Sequence, residues 1–285
     1  MNVDPITVLY VVAVIAGFHI LLLSGAVFSL VLPNPMHRFA GSSLASTAGR
    51  AAPVDVTLPD GGQAWWFNAA DAPERVLLIC HGKSRNRRWM LPLIDAVLPH
   101  CRVLALEFPN PRRFGLRTQT MGPHEGVTVQ HAVGWLNQQG AHDVVVYGVS
   151  MGGAASILGL GTAPDLRVSG LVTDGTYDTL QRVLDHFRRR LPFIPGYVAG
   201  WSDTISGSIM GRRPSEIRPV DVIANINAPI LLLHGDRDWL VPNGAADALA
   251  AAAGENAHVV KYPGRHDQPK NEAMQALVRG FVTSV

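Results

Sequence analysis

The chain has 285 residues, 47% of them hydrophobic and 16% charged, where an ordinary domain carries about 25% charged residues. That content excludes wholesale disorder, and the shortage of charge places part of the chain in lipid or in deep burial. A formal charge of +2 does not mark a nucleic-acid binder, and two cysteines exclude a disulfide framework or a zinc site built from several cysteines.

Residues 6–32 contain no Asp, Glu, Lys or Arg, and the run exceeds the ~20 apolar residues that cross a bilayer core. It is apolar all round, whereas a core helix shows one polar face. It begins Met-Asn-Val-Asp, without the cationic start of a secretory signal, and it is longer than a signal's apolar stretch. It therefore reads as an uncleaved, single-pass transmembrane helix. Pro33 and Pro35 stop it, and residues 33–53 are small, polar and rich in Pro and Gly, as in a flexible linker. Behind such a linker the apolar run is expected to contribute nothing to a site in the body. Arg38 and Arg50 lie downstream and only Asp4 upstream, so the positive-inside rule favours a cytoplasmic body.

From residue 54 onward, strand-like and helix-like stretches alternate. An opening hairpin is expected over 54–58 and 63–68, turning at Pro59-Asp60-Gly61-Gly62. Residues 75–80 form a continuous apolar run, the pattern of a strand buried on both faces. Helix 89–98, strand 103–108, helix 126–138, strand 143–147 and helix 152–160 follow. Strand 170–173 precedes a long irregular segment. Strand 229–234, helix 245–253, strand 258–262 and a last helix from 271 complete the chain. Such alternation predicts a parallel sheet covered by helices on both faces. The segment 176–225 breaks the rhythm, mixing Phe187, Phe193, Ile194, Tyr197 and Trp201 with Arg182, Arg188, Arg189 and Arg190. It reads either as a lid over a site or as extra packing helices.

The chemistry concentrates in three places. Gly148-Val149-Ser150-Met151-Gly152 matches G-x-S-x-G, with strand residues Val144–Tyr147 before it and a helix start, Gly152-Gly153-Ala154-Ala155, after it. That context, more than the pattern, marks a nucleophile elbow. A serine hydroxyl needs a base, and the base an orienting acid. His234-Gly235-Asp236-Arg237-Asp238 leaves one later strand and Pro263-Gly264-Arg265-His266 leaves the next, giving the chain order Ser150, Asp238, His266. Parallel strands bring these loops to one sheet edge. Asp236, Asp267 and Asp174 remain as turn residues or substitute acids, and His81 as structural.

On His81-Gly82, the elbow, His234-Gly235-x-x-Asp238-x-x-Val241-Pro242 and Gly264-x-His266, residues 54–285 resemble the α/β-hydrolase superfamily. More narrowly, they resemble its short-lid, membrane-anchored branch, related to serine aminopeptidases and dienelactone hydrolases. The resemblance implies a mostly parallel eight-stranded sheet with helices on both faces. It also implies Ser150 as nucleophile, His266 as general base and then acid, and Asp238 as orienting carboxylate. The N–H groups of Lys83 and Met151 would form an oxyanion hole, with no cofactor. The implied activity is hydrolysis of an ester, thioester or lipid-like acyl substrate through an acyl-serine intermediate. An aminopeptidase-like amide hydrolase and a non-catalytic tethered binding module are the alternatives. The chain departs from many members after the fourth strand, where Glu107-Phe108-Pro109-Asn110-Pro111-Arg112-Arg113-Phe114-Gly115 replaces a Gly-rich D-x-R-G-x-G turn.

Two further expectations concern the sheet and its edge. Cys80 and Cys101 fall at opposite ends of neighbouring strands, too far apart for the ~7 Å limit of a disulfide. Thirteen basic residues, among them Lys83, Arg85, Arg87, Arg88, Arg112 and Arg113, fall on connections at the predicted catalytic edge. They form either a solvated surface with local ion pairs or a mouth for anionic headgroups or substrates.

Overall fold

The computed structural model describes residues 4–33, 52–68, 73–190 and 195–285. Most of the expected linker, together with Phe193 and Ile194 of the expected lid, lies outside the described residues. Helix α1 (Pro5–Val31) starts on an Asp4 cap, whose carboxylate accepts the N–H groups of Ile6 and Thr7. Its residues Ile6–Val31, with mean hydropathy 2.6, are long and apolar enough to cross a membrane.

The body opens with the hairpin β1 (Val54–Thr57) and β2 (Gln63–Phe67). There follow β3 (Val76–Cys80), α2 (Leu91–Val97), β4 (Arg102–Glu107) and a small hairpin of β5 (Arg112–Arg113) and β6 (Leu116–Arg117). Next come α3 (Pro123–Gln138), β7 (Val144–Val149), α4 (Met151–Gly161), β8 (Gly170–Asp174), α5 (Leu180–Arg190) and α6 (Gly196–Met210). Three short 3-10 turns lead to β9 (Ile230–Gly235), α7 (Gly244–Ala253), β10 (Ala257–Tyr262) and α8 (Glu272–Ser284).

Eight strands form one sheet in the order β1-β2-β4-β3-β7-β8-β9-β10. β1 and β2 pair antiparallel, β2 joins β4 antiparallel, and every other pairing is parallel. The unbroken apolar run of β3 follows from its place: Val76, Leu78 and Cys80 face one core layer, while Leu77 and Ile79 face the other. The first layer holds α3, α4 and α7, and the second holds α2 and α8. Cys80 and Cys101 are buried free thiols. They stand at opposite ends of the β3–β4 pair, in which Val76 faces Arg102. Burial pushes both thiols up to about 12, so neither is a reactive thiolate.

α1 does not stand apart from the body. Val27, Leu30 and Val31 are buried in the first core layer, and α6 packs along the same helix. The Tyr197 hydroxyl lies 2.6 Å from His19 Nδ1. The Val31 carbonyl accepts the Gln119 N–H at 3.0 Å.

Candidate active site

Ser150 stands between β7 and α4 with φ 54° and ψ −117°, a left-handed conformation that costs a non-glycine residue of order 1–3 kcal/mol. The turn is held from both sides: the Ser150 N–H donates to the Asp174 carbonyl at 2.8 Å, and its carbonyl accepts Ala154 N–H at 3.0 Å. Side chains two positions away would not fit. A Cβ on Gly148 would lie 2.5 Å from the Gly152 carbonyl oxygen, and one on Gly152 would lie 2.6 Å from that of His81. The G-x-S-x-G spacing is thus a packing requirement of the turn. The serine is 7% exposed.

Asp238 lies on the loop after β9, and its side chain is fully buried. One carboxylate oxygen accepts the N–H groups of Leu240 and Val241 at 2.8 and 3.0 Å. The other lies 2.7 Å from His266 Nδ1. Since the carboxylate can only accept, this bond puts the imidazole proton on Nδ1 and leaves the Nε2 lone pair free. Burial works against the Asp238 charge, but the His266 bond and charge, with the two N–H donors, hold its pKa below the ordinary value. For His266 burial disfavours the cation, yet the bond to Asp238 and the charges of Asp238, Asp267 and Asp174 leave its pKa raised.

The Asp174-Gly175 peptide links the serine to this pair. Its carbonyl holds Ser150 N–H, while a Cβ on Gly175 would lie 3.0 Å from both His266 Nδ1 and Asp238 Oδ2.

The other acids are engaged elsewhere. Asp236 is half exposed, accepts the Gly264 N–H at 3.0 Å and pairs with Arg237. Asp174 is buried against the Tyr262 hydroxyl at 2.9 Å, and burial raises its pKa to about 7. Asp267, in a left-handed conformation with φ 53°, accepts from Arg85 Nε at 2.6 Å and Trp89 Nε1 at 2.9 Å. It thereby clamps the His266 loop to the loop after β3. Sequence reasoning weighed Asp267 only as a turn residue or substitute acid, and adjacency to His266 was its one signal.

The loop after β3 comes directly against the serine: a Cβ on Gly82 would lie 3.6 Å from Ser150 Cβ. Gln119 fixes this loop by accepting the Ser84 N–H at 3.0 Å, a role that no sequence pattern announced. His81 is buried, with Nδ1 2.8 Å from the Gly82 carbonyl and Nε2 accepting Phe108 N–H at 3.1 Å, so both its nitrogens serve the scaffold. Met151 opens α4, where main-chain N–H groups lack helical partners and the dipole presents positive charge. Lys83 sends its ammonium to the Leu32 carbonyl at 2.9 Å. Burial lowers its pKa to about 8, against the opposing charge of Glu125.

Ser150 and Lys83 line a cavity of about 620 Å³, within the size range of small-molecule sites. Its walls are apolar, built by Leu180 and Val183 of α5, Val198 and Ala199 of α6, and residues of α1 from Leu21 to Leu30. The last contribution corrects the expectation that the N-terminal run plays no part in the site. The error arose from treating an all-round apolar helix as lipid-facing throughout, although its last three turns bury one side against the body. A second cavity, of about 540 Å³, reaches His266 between Trp89, Trp239, Arg265 and Lys270.

Much of the basic edge is locally paired. Arg85 binds Asp267, Arg87 binds Asp55, Arg182 binds Asp178, and Arg188 binds Asp185 and Asp203. The departure after the fourth strand forms the β5–β6 hairpin, with Phe114 exposed at its tip.

Comparison with known proteins agrees with the fold. Residues 204–277, the stretch holding Asp238 and His266, match the family described as Serine hydrolase (FSH1). The alpha/beta hydrolase domain-containing protein WAV2 of Arabidopsis thaliana is 33% identical over 126 residues. That match takes in 42% of this chain and 39% of the relative, so the chain corresponds to under half of the plant protein. An esterase of Pyrococcus furiosus has the same fold, with TM-score 0.67 and 20% identity, over 89% of this chain and 97% of its own. A membrane phospholipase A described as a bacterial virulence factor superposes over 98% of both chains, with TM-score 0.60 and 16% identity. By its sheet order, its strand-end turn at Ser150 and these likenesses, the chain has the α/β-hydrolase fold.

Proposed function

We propose that this chain is a membrane-anchored serine hydrolase that cleaves carboxylic esters or thioesters of acyl groups. The observation that carries the reading is a strained serine at an apolar cavity, joined through the Asp174-Gly175 peptide to a buried His266–Asp238 pair. Ser150 Oγ attacks the acyl carbonyl carbon while His266 Nε2 takes the hydroxyl proton. Asp238 holds the ring in the required tautomer and stabilises the imidazolium. The carbonyl oxygen becomes an oxyanion facing the Lys83 and Met151 N–H groups. Collapse breaks the bond to the alcohol or thiol, which leaves with the proton from His266. Water, activated by the same imidazole, then releases the acid and restores Ser150.

The cavity favours an acyl chain over a peptide. Among the described residues that line it the one acid, Asp203, is paired with Arg188 at 2.5 Å and is not free to hold a substrate amino group. Anchoring by α1, as an uncleaved span with the body on the cytoplasmic side, is supported by its length and composition and by Arg38 and Arg50 downstream. The hydrogen bonds from Lys83 and Gln119 to its last carbonyls favour retention over cleavage.

The test is hydrolysis by the full chain in detergent of p-nitrophenyl esters from acetate to palmitate, matching acyl thioesters, and aminoacyl anilides. Ester or thioester cleavage through an adduct on Ser150 is expected. Cleavage of the anilides alone, or of none of the three classes, would overturn the reading.

A further inference from the structure

We propose that the membrane helix is itself a wall of the acyl-binding site, and that Gly25, Ala26 and Ser29 set the length of acyl chain accepted. The inference rests on the hydrolase reading above and deepens it, naming the substrate as a membrane-resident acyl ester.

Three observations carry it. First, the cavity that begins at Ser150 continues along Leu21, Leu22, Gly25, Ala26, Ser29 and Leu30. These positions recur at helical spacing and form one stripe on α1. At ~1.5 Å per residue the stripe from Leu21 to Ser29 runs about 12 Å, more than an acetyl or butyryl group would use. The stripe has room: a Cβ on Gly25 would meet nothing within 4 Å.

Second, α1 is tied to the loop beside the serine. Its end residues Val31 and Leu32 give their carbonyls to Gln119 N–H and to the Lys83 ammonium. Gln119 holds Ser84 N–H in turn, so the helix and the loop keep a fixed relation.

Third, helix length sets the depth. Residues 6–20 precede the stripe and span about 22 Å, short of the ~30 Å hydrocarbon core. The span is completed only by the part of α1 that lines the cavity. α6 packs along α1 and exposes much of Tyr197, which also meets His19 of α1, and of Trp201, aromatic residues suited to a membrane interface. An acyl chain in the cavity therefore lies at the depth of the lipid tails, beside its source.

The experiment compares Gly25→Leu with Gly17→Leu in the full chain, in lipid nanodiscs. Gly17 is on the same helix, is exposed, and its added Cβ would also meet nothing within 4 Å, so it controls for any general effect of leucine in the span. kcat/KM is measured for p-nitrophenyl butyrate, octanoate and palmitate. Gly25→Leu is expected to lower the palmitate-to-butyrate ratio by about tenfold or more, the range of discrimination that pocket filling gives. Gly17→Leu is expected to leave the ratio within about twofold, since it touches no part of the cavity. Equal ratios for wild type and both variants would overturn the proposal. Should Gly25→Leu also lose butyrate activity, Ser29→Leu decides by the same ratio. A wild-type protein that cleaves none of the esters would instead refute the hydrolase reading, which keeps the two failures apart.

Discussion

Replacing Asp238 by Asn changes one atom in a site where nothing else can take over. The Asp238 side chain is fully buried and His266 is 11% exposed, so water cannot replace the lost acceptor. The Asn carbonyl oxygen can still receive Leu240 and Val241 N–H, which keeps the loop in place. Its NH₂ group then faces His266 Nδ1 and forces that nitrogen to accept, moving the ring proton to Nε2. In that tautomer the imidazole has no lone pair for the serine proton. The expected loss is about 10⁴-fold in kcat, or about 5 kcal/mol of barrier, with folding stability reduced by no more than about 3 kcal/mol. Hydrolysis of a short-chain ester across a pH series measures the first, and thermal melting the second. Asp236→Asn serves as comparison and is expected to stay within about threefold of wild type, as exposed substitutions usually do. Asp238→Asn retaining a tenth or more of the activity, or Asp236→Asn losing as much, would refute the assignment.

Three further outcomes follow from the same geometry. The acid limb of kcat/KM is expected to have its midpoint above the ordinary histidine value of about 6.5, because His266 must lose its proton to act as base and its pKa is raised. The same raised pKa stabilises the folded state below the unfolded value, and this contribution is lost as pH rises through the folded one. Asp174, raised to about 7 by burial, binds its proton more tightly folded than unfolded. Stability is thus expected to fall as pH rises from about 4 to about 7, and Asp174→Asn to flatten that part of the melting-temperature profile. Removing residues 1–31 takes Val27, Leu30 and Val31 from the core, each worth up to about 1.5–3 kcal/mol when fully buried. The shortened chain is expected to melt lower and to lose long-chain more than short-chain ester hydrolysis, and equal stability and profile would contradict the packing of α1.

Much of the fold is legible because the sheet is buried on both faces. Runs such as Val76–Cys80 and Val144–Val149 have no polar side to confuse the reading, and the helices between them force parallel pairing. Ser150 is legible because glycine is required on both sides of it: a Cβ on Gly148 would meet the Gly152–Gly153 backbone, and one on Gly152 the backbone of Cys80 and His81. Local pattern carries no trace of partners far along the chain. Asp267 meets Arg85 across 182 positions, and Lys83 meets Leu32 across 51. The largest gap was α1. Its composition suits lipid and core alike, so only the tertiary contacts of Val27, Leu30 and Val31 distinguish the two for its last turns.

The central claim is that Ser150 is an activated nucleophile. Labelling the full chain with a fluorophosphonate and mapping the adduct by peptide mass spectrometry tests it most directly. The account predicts one adduct, on the peptide containing Ser150, absent in Ser150→Ala and formed far more slowly in Asp238→Asn while both variants remain folded. An adduct on another residue, or labelling that persists in Ser150→Ala, would contradict it.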